Sequence, residues 1–169
     1  MNLDDKKVLV VGTGISGVAA TELLQKKGIA VTLFDGNKEL DKESLFSKNP
    51  SISGVPIILG ELTEEDMKAI DVAVLSPGVP TDLPMVLSMK ERNIPIWGEI
   101  ELAYYFAKGQ IAAITGTNGK TTTTALTGEI MKNFYKDVRV VGNIGIPYTR
   151  EATDMTEETV TVAEISSFQ

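Results

Sequence analysis

Short runs of Val, Ile and Leu recur along the chain with amphipathic stretches between them. The runs at 8–11, 31–34, 56–59, 72–75 and 95–97 are each three or four residues long and predict strands. Val8-Leu9-Val10-Val11 is apolar without alternation, as expected of a strand buried on both faces of a parallel sheet. Ile15, Val18, Ala19 and Leu23 recur at three to four residues and predict a helix that Gly28 ends. The polar segment 36–53 predicts a loop with at most one helix, and 81–92 predicts a further helix. Near Trp97-Gly98 the pattern restarts. An amphipathic segment at 99–107 precedes a strand at 111–114, a glycine turn, a helix from Lys120, and strands at 138–141 and 160–165.

Strands alternating with helices are the signature of βαβ units around parallel sheets. The expected fold class is α/β: a Rossmann-like parallel-sheet domain over residues 1–98, then a P-loop-type α/β domain over 99–169. The two glycine turns differ in type, so the restart is not an internal repeat. Ser166-Ser167-Phe168-Gln169 follow directly on a buried-looking strand, which predicts a truncated second domain.

Composition removes several chemistries. Of 169 residues, 43% are hydrophobic and 6% aromatic, which is enough apolar material for a packed core. A net charge of −7 argues against a nucleic-acid binder working through a basic surface. It leaves nucleotides open, because backbone amides and one lysine can hold a phosphate. With neither cysteine nor histidine, thiolate and imidazole chemistry are absent from this sequence. Residues 1–7 are unlike a signal peptide and no apolar run approaches a membrane span, so a cytoplasmic protein with no membrane partner is expected.

Two glycine turns carry the candidate chemistry. Ile114-Thr115-Gly116-Thr117-Asn118-Gly119-Lys120-Thr121-Thr122 joins a strand to a helix, the setting in which amides and a helix N-terminus cradle phosphate. Lys120 is placed for the β and γ phosphates and the Thr121 hydroxyl for Mg²⁺. The generic P-loop has a glycine where Ile114 stands, and an Asn-Gly turn capping a helix is the plainer alternative. Glu164, a carboxylate ending an apolar strand of the same unit, can hold magnesium directly or through water, or can simply face solvent.

The first turn, Gly12-Thr13-Gly14-Ile15-Ser16-Gly17, fits GxGxxG between strand and helix, with Asp35 ending the next strand. Read alone it suggests NAD or FAD, or a dinucleotide-like fold holding neither. Ser76-Pro77-Gly78 ends the fourth strand at the sheet's ligand edge, where a plain proline turn explains it equally well. Tyr104-Tyr105-Phe106 carry no specific signal beyond packing.

Thr-Gly-Thr-Asn-Gly-Lys-Thr-Thr resembles the ATP loop of the Mur ligase and folylpolyglutamate synthetase superfamily, whose members lack the first P-loop glycine. Gly98-Glu99-Ile100-Glu101, Asn143-Ile144-Gly145 and Glu164-Ile165-Ser166-Ser167-Phe168-Gln169 narrow the likeness to the D-glutamate-adding branch, over the whole chain. The resemblance implies ATP and Mg²⁺, with UDP-N-acetylmuramoyl-L-alanine and D-glutamate as substrates joined through an acyl phosphate. It implies a loop of Gly116, Thr117, Asn118, Gly119, Lys120, Thr121 and Thr122 for ATP, and Thr121 and Glu164 for the metal. It also implies substrate contacts from Ile15, Ser16, Asp35, Gly36, Asn37, Ser76 and Asn143, the first two through amides. Lys120 and Glu164 are the expected catalytic pair, and the protein is expected to act as a monomer. A histidine, a modified lysine and a D-glutamate-recognising domain are implied beyond Gln169, so this chain alone is expected to be inactive. An NAD-dependent oxidoreductase, another ligase of the superfamily and a noncatalytic nucleotide-binding module remain the alternatives.

Overall fold

A computed structural model describes residues 2–142 and 146–166. The chain forms two compact units, Met1–Gly98 and Glu99–Gln169. In the first, β1 (Lys7–Val11), β2 (Ala30–Asp35), β3 (Ile57–Leu59), β4 (Val72–Leu75) and β5 (Ile96–Gly98) make an all-parallel sheet in the order β3-β2-β1-β4-β5. Construction runs outward from β1 to β3, then returns to the other side of β1 for β4. That reversal puts a topological switch point between the carboxyl ends of β1 and β4, where open α/β sheets bind ligands.

Both faces of β1 are covered, which is why its sequence does not alternate. Leu9 and Val11 join Phe34, Ala73 and Leu75 in a cluster with Met67, Val86 and Met89 from the helices α3 (Glu64–Lys68) and α4 (Pro84–Glu91). The helix α1 (Ile15–Lys26) packs against β1 and β2, burying Val18, Ala19, Leu23 and Leu24. The valine and leucines among them each contribute about 1.5–3 kcal/mol on removal from water. Gly28, at φ +74°, follows the end of α1.

One local expectation needs correction, and two further segments gain detail. The predicted helix at 81–92 begins only at Pro84, because Leu83 precedes a proline and is held extended at ψ 141°. The 36–53 segment contains α2 (Lys42–Lys48), capped by the Asp41 carboxylate, and a 3₁₀ turn at Pro50–Ile52. The five-residue α3 had no periodicity to show, yet a full capping box between Thr63 and Asp66 starts it.

In the second unit, α5 (Glu99–Phe106) leads into β6 (Gln110–Ile114), α6 (Lys120–Met131), β7 (Val138–Gly142), the four-residue α7 (Tyr148–Glu151) and β8 (Val160–Glu164). The sheet is parallel in the order β6-β8-β7, so the last strand enters between the two earlier ones. All five residues of β8 are buried. Among the described residues, no helix is long and apolar enough to cross a membrane.

Candidate functional site

Two turns at the carboxyl ends of strands are candidate sites, one in each unit. In the first, Gly12 follows β1 and Ser76 follows β4, so both stand at the switch point. Gly12 has φ +103°, and a Cβ there would come within 2.9 Å of the Ser76 hydroxyl. A Cβ on Gly17 would overlap the carbonyl oxygen of Gly12 and also reach Ser76. The turn therefore closes onto α1 and β4 only because both positions lack side chains. Ser76 Oγ is buried in this contact and has no protein hydrogen-bond partner.

The helix α1 starts at Ile15 with Gly14 as its cap residue and no side-chain cap. The first N–H groups of a helix have no intrahelical acceptor, and here no carboxylate occupies the first turn either. Ile15 is 68% exposed and Ser16 half-buried at this end. Asp35 Oδ2 accepts from the Thr13 N–H at 3.0 Å and the Thr13 hydroxyl at 2.7 Å, and Oδ1 accepts from the Asn37 N–H at 3.0 Å. Burial pushes the Asp35 carboxyl up, but the Thr13 hydroxyl and the Asn37 and Thr13 amides outweigh it and hold it below the ordinary 3.8. Gly36 and Asn37 are exposed beside it.

The second turn is open. Gly116 through Gly119 are exposed between β6 and α6, as are Thr121 and Thr122. Gly119 adopts the left-handed conformation, φ +75°, as the cap residue of α6, and again no side chain caps the helix. Lys120 Nζ donates to the Gly116 carbonyl at 2.8 Å, drawing the ammonium back across its own loop. The cation is thus kept at the turn.

Glu164 ends the central strand β8, in register with Ile114 on one side and Gly142 on the other. The residue is 4% exposed, and Oε2 is buried without a hydrogen-bond partner. An ionised oxygen left in this state is costly unless a cation or donor meets it. Among the described residues no cluster of three acidic or other ligating side chains forms a metal cage. Magnesium, for comparison, keeps waters and binds through one or two carboxylates plus substrate phosphates. The orphaned Oε2 of Glu164 is an oxygen of the kind that ion takes.

Glu99, part of the Gly98-Glu99-Ile100-Glu101 motif, is a buried carboxylate at the start of α5. Its Oε1 accepts from the N–H and hydroxyl of Thr149, each at 2.7 Å. Burial pushes it above the ordinary 4.5, against the opposing pull of the Thr149 and Tyr148 donors. It anchors α7 and has no expected contact with substrate. Asn143 and the closing Ser167-Phe168-Gln169 lie outside the described residues.

The structure groups Ile15, Ser16, Asp35, Gly36, Asn37 and Ser76 along one sheet edge of the first unit, and the lysine loop with Glu164 at one edge of the second. Sequence reasoning passed over Thr13, whose place between two glycines was its only signal.

A switch-point α/β unit followed by a Gly-Lys loop on a second parallel sheet defines a class that family models recognise directly. Residues 6–98 match the Mur ligase MurD-like N-terminal domain and residues 114–169 the Mur ligase middle domain. The chain belongs to the Mur ligase family. It is 57% identical over 169 residues to the UDP-N-acetylmuramoylalanine–D-glutamate ligase of Lachnoclostridium phytofermentans, and 53% identical over the same length to that of Lachnospira eligens. All of this chain is covered in both matches but only 37% of each relative, so it spans little more than a third of their length. The solved UDP-N-acetylmuramate-alanine ligase of Thermotoga maritima aligns over 95% of this chain and 37% of its own, with a TM-score of 0.51 and 22% identity. That likeness concerns the fold.

Proposed function

We propose that the chain supplies the UDP-substrate-binding domain, residues 1–98, and part of the central ATP-binding domain, residues 99–169, of a ligase that adds D-glutamate to UDP-N-acetylmuramoyl-L-alanine in peptidoglycan precursor synthesis. The reading places the enzyme in the cytoplasm as a monomer, with ATP and Mg²⁺ as cosubstrate and cofactor. The orphaned Oε2 of Glu164 carries the reading, because it lies in register with the strand that feeds the lysine loop. The high identity to two D-glutamate ligases supports the choice of amino acid.

A carboxylate is a poor acyl donor, since its charge repels an amine and its oxygen leaves badly. Attack of the alanyl carboxylate on the γ-phosphorus of ATP expels ADP and gives an acyl phosphate. The D-glutamate amine then displaces phosphate and loses a proton to form the amide. In this scheme the amides of Gly116 to Gly119 and the start of α6 bind the phosphate chain, with Thr117, Asn118 and Thr122 flanking it. Lys120 leaves the Gly116 carbonyl and neutralises the charge on the transferring group. Thr121 and Glu164 hold Mg²⁺, which when bound adds further charge neutralisation. In the first unit the amides of Ile15 and Ser16 meet the diphosphate, while Asp35, Gly36 and Asn37 meet the nucleoside and Ser76 and Asn143 the remainder of the substrate.

Equilibrium titration of the chain with UDP-N-acetylmuramoyl-L-alanine, ATP with magnesium, and NADH tests this reading. The expected result is binding of the first two at separate sites, with UDP competing only against the sugar nucleotide. Displacement of the sugar nucleotide by NADH, or tighter binding of NADH, would overturn it in favour of the oxidoreductase.

A further inference from the structure

We propose that Thr13 is a positioning residue that holds the first glycine turn in its diphosphate-binding shape by clamping it to Asp35; this deepens, and rests on, the reading of that turn as the UDP site. Thr13 sits between Gly12 and Gly14, where the backbone has the least intrinsic reason to keep one conformation. Its amide and hydroxyl both donate to one oxygen of Asp35, at 3.0 and 2.7 Å. Asp35 is itself fixed, as the last residue of β2, by a bond from the Gly60 N–H to its carbonyl at 2.8 Å. The turn is therefore tied to a second strand besides the one it leaves.

The clamp has two consequences for a ligand. Threonine next to a helix start is a favoured capping residue, but this hydroxyl is spent on Asp35, and α1 has no side-chain cap. The first-turn amides stay available to an anion. In dinucleotide-binding domains the acidic residue at the end of the second strand takes the ribose hydroxyls. Here its Oδ2 already serves two donors of the chain's own turn, and the Asn37 amide occupies Oδ1. Three donors also offset a negative charge that would otherwise oppose a diphosphate beside it. Thr13 thus shapes the turn for phosphate and fills Asp35 Oδ2, leaving only Oδ1, which accepts one bond from Asn37, to meet the nucleoside.

The test is titration of the 169-residue chain with UDP and with uridine, for the parent and for Thr13→Val, Thr13→Ser, Asp35→Asn and the Thr13→Val/Asp35→Asn pair. Loss of a hydrogen bond to a charged group predicts about tenfold weaker UDP binding by Thr13→Val. Uridine binding should be unchanged, since it does not depend on the phosphate amides, while the melting temperature should fall by about a few degrees with the lost bond to Asp35. Thr13→Ser keeps the donor and should bind UDP like the parent. The double variant should be no weaker than Asp35→Asn alone, because both changes break one clamp. Parent-like UDP binding by Thr13→Val would overturn the clamp while leaving the UDP site standing. Equal loss of uridine and UDP would overturn it in favour of a merely structural role. A parent chain that takes up no UDP would remove the site and the clamp together.

Discussion

The two glycine turns occupy equivalent places, each between a parallel strand and a twelve-residue helix with no side-chain cap, yet they are held in opposite ways. The first is fixed by packing: two glycines let the backbone close on Ser76, and Asp35 pins the loop from the neighbouring strand. The second is exposed, and Lys120 donates to its own loop carbonyl. On the proposed function, the packed turn is preorganised for its anion and costs little to fill. On the same proposal, the loop that holds its own cation exchanges that contact for a phosphate, so ordering comes with the ligand.

The contrast can be broken most severely at Gly17. Replacement by Ala drives a methyl into the Gly12 carbonyl, and overpacking of this kind against backbone is expected to cost about 3 kcal/mol or more, read as a lower urea midpoint with UDP binding lost. Lys120→Ala should do the reverse. It is expected to weaken ATP binding about 10–100-fold, the worth of a charged hydrogen bond, with stability and UDP binding unchanged. If Lys120→Ala bound ATP normally, the second turn would be no phosphate site.

Glu99 extends the comparison to pH. Glu99→Ala leaves the buried Thr149 donors unpaired and should destabilise the second unit by about 1–3 kcal/mol. The carboxyl's folded-state value is raised, so the stability its protonated form gives is full below 4.5 and is lost as pH rises through the folded value. Glu99→Gln should flatten the melting curve against pH over that interval. Asp35 has the opposite sign: its contribution is present above 3.8 and lost as pH falls through its lower folded value, so the first turn should fail in acid. The smallest effect is expected at Lys38, whose ion pair with Glu61 is exposed on both sides. Lys38→Ala should leave the urea midpoint and both ligand affinities where they are.

The strands and α1 were legible in the sequence because burial on both faces writes uninterrupted apolar runs, and one-sided burial writes a 3.6-residue period. The short helices were not, since five or four residues cannot display a period. The start of α3 was marked by Thr63 and Asp66, but α7 depends on a carboxylate fifty residues earlier in the chain, a partnership no local pattern records. The site divides in the same way. Glycines, Lys120 and Glu164 could be picked out by type and spacing. That Thr13 and Asp35 face each other depends on the parallel pairing of β1 with β2, which exists only once the sheet has formed.

The placement of β8 between β6 and β7 bears on how the second unit comes to exist during synthesis. Until residues 160–164 emerge, β6 and β7 have no ladder partner in this sheet, so a nascent chain that already carries the whole lysine loop still has no sheet to mount it on. The first unit can begin pairing β1 with β2 as soon as residue 35 is free. All five strands of the first unit thus leave the ribosome before β8, and assembly of the second unit's sheet waits for that one late strand bearing the acidic residue Glu164.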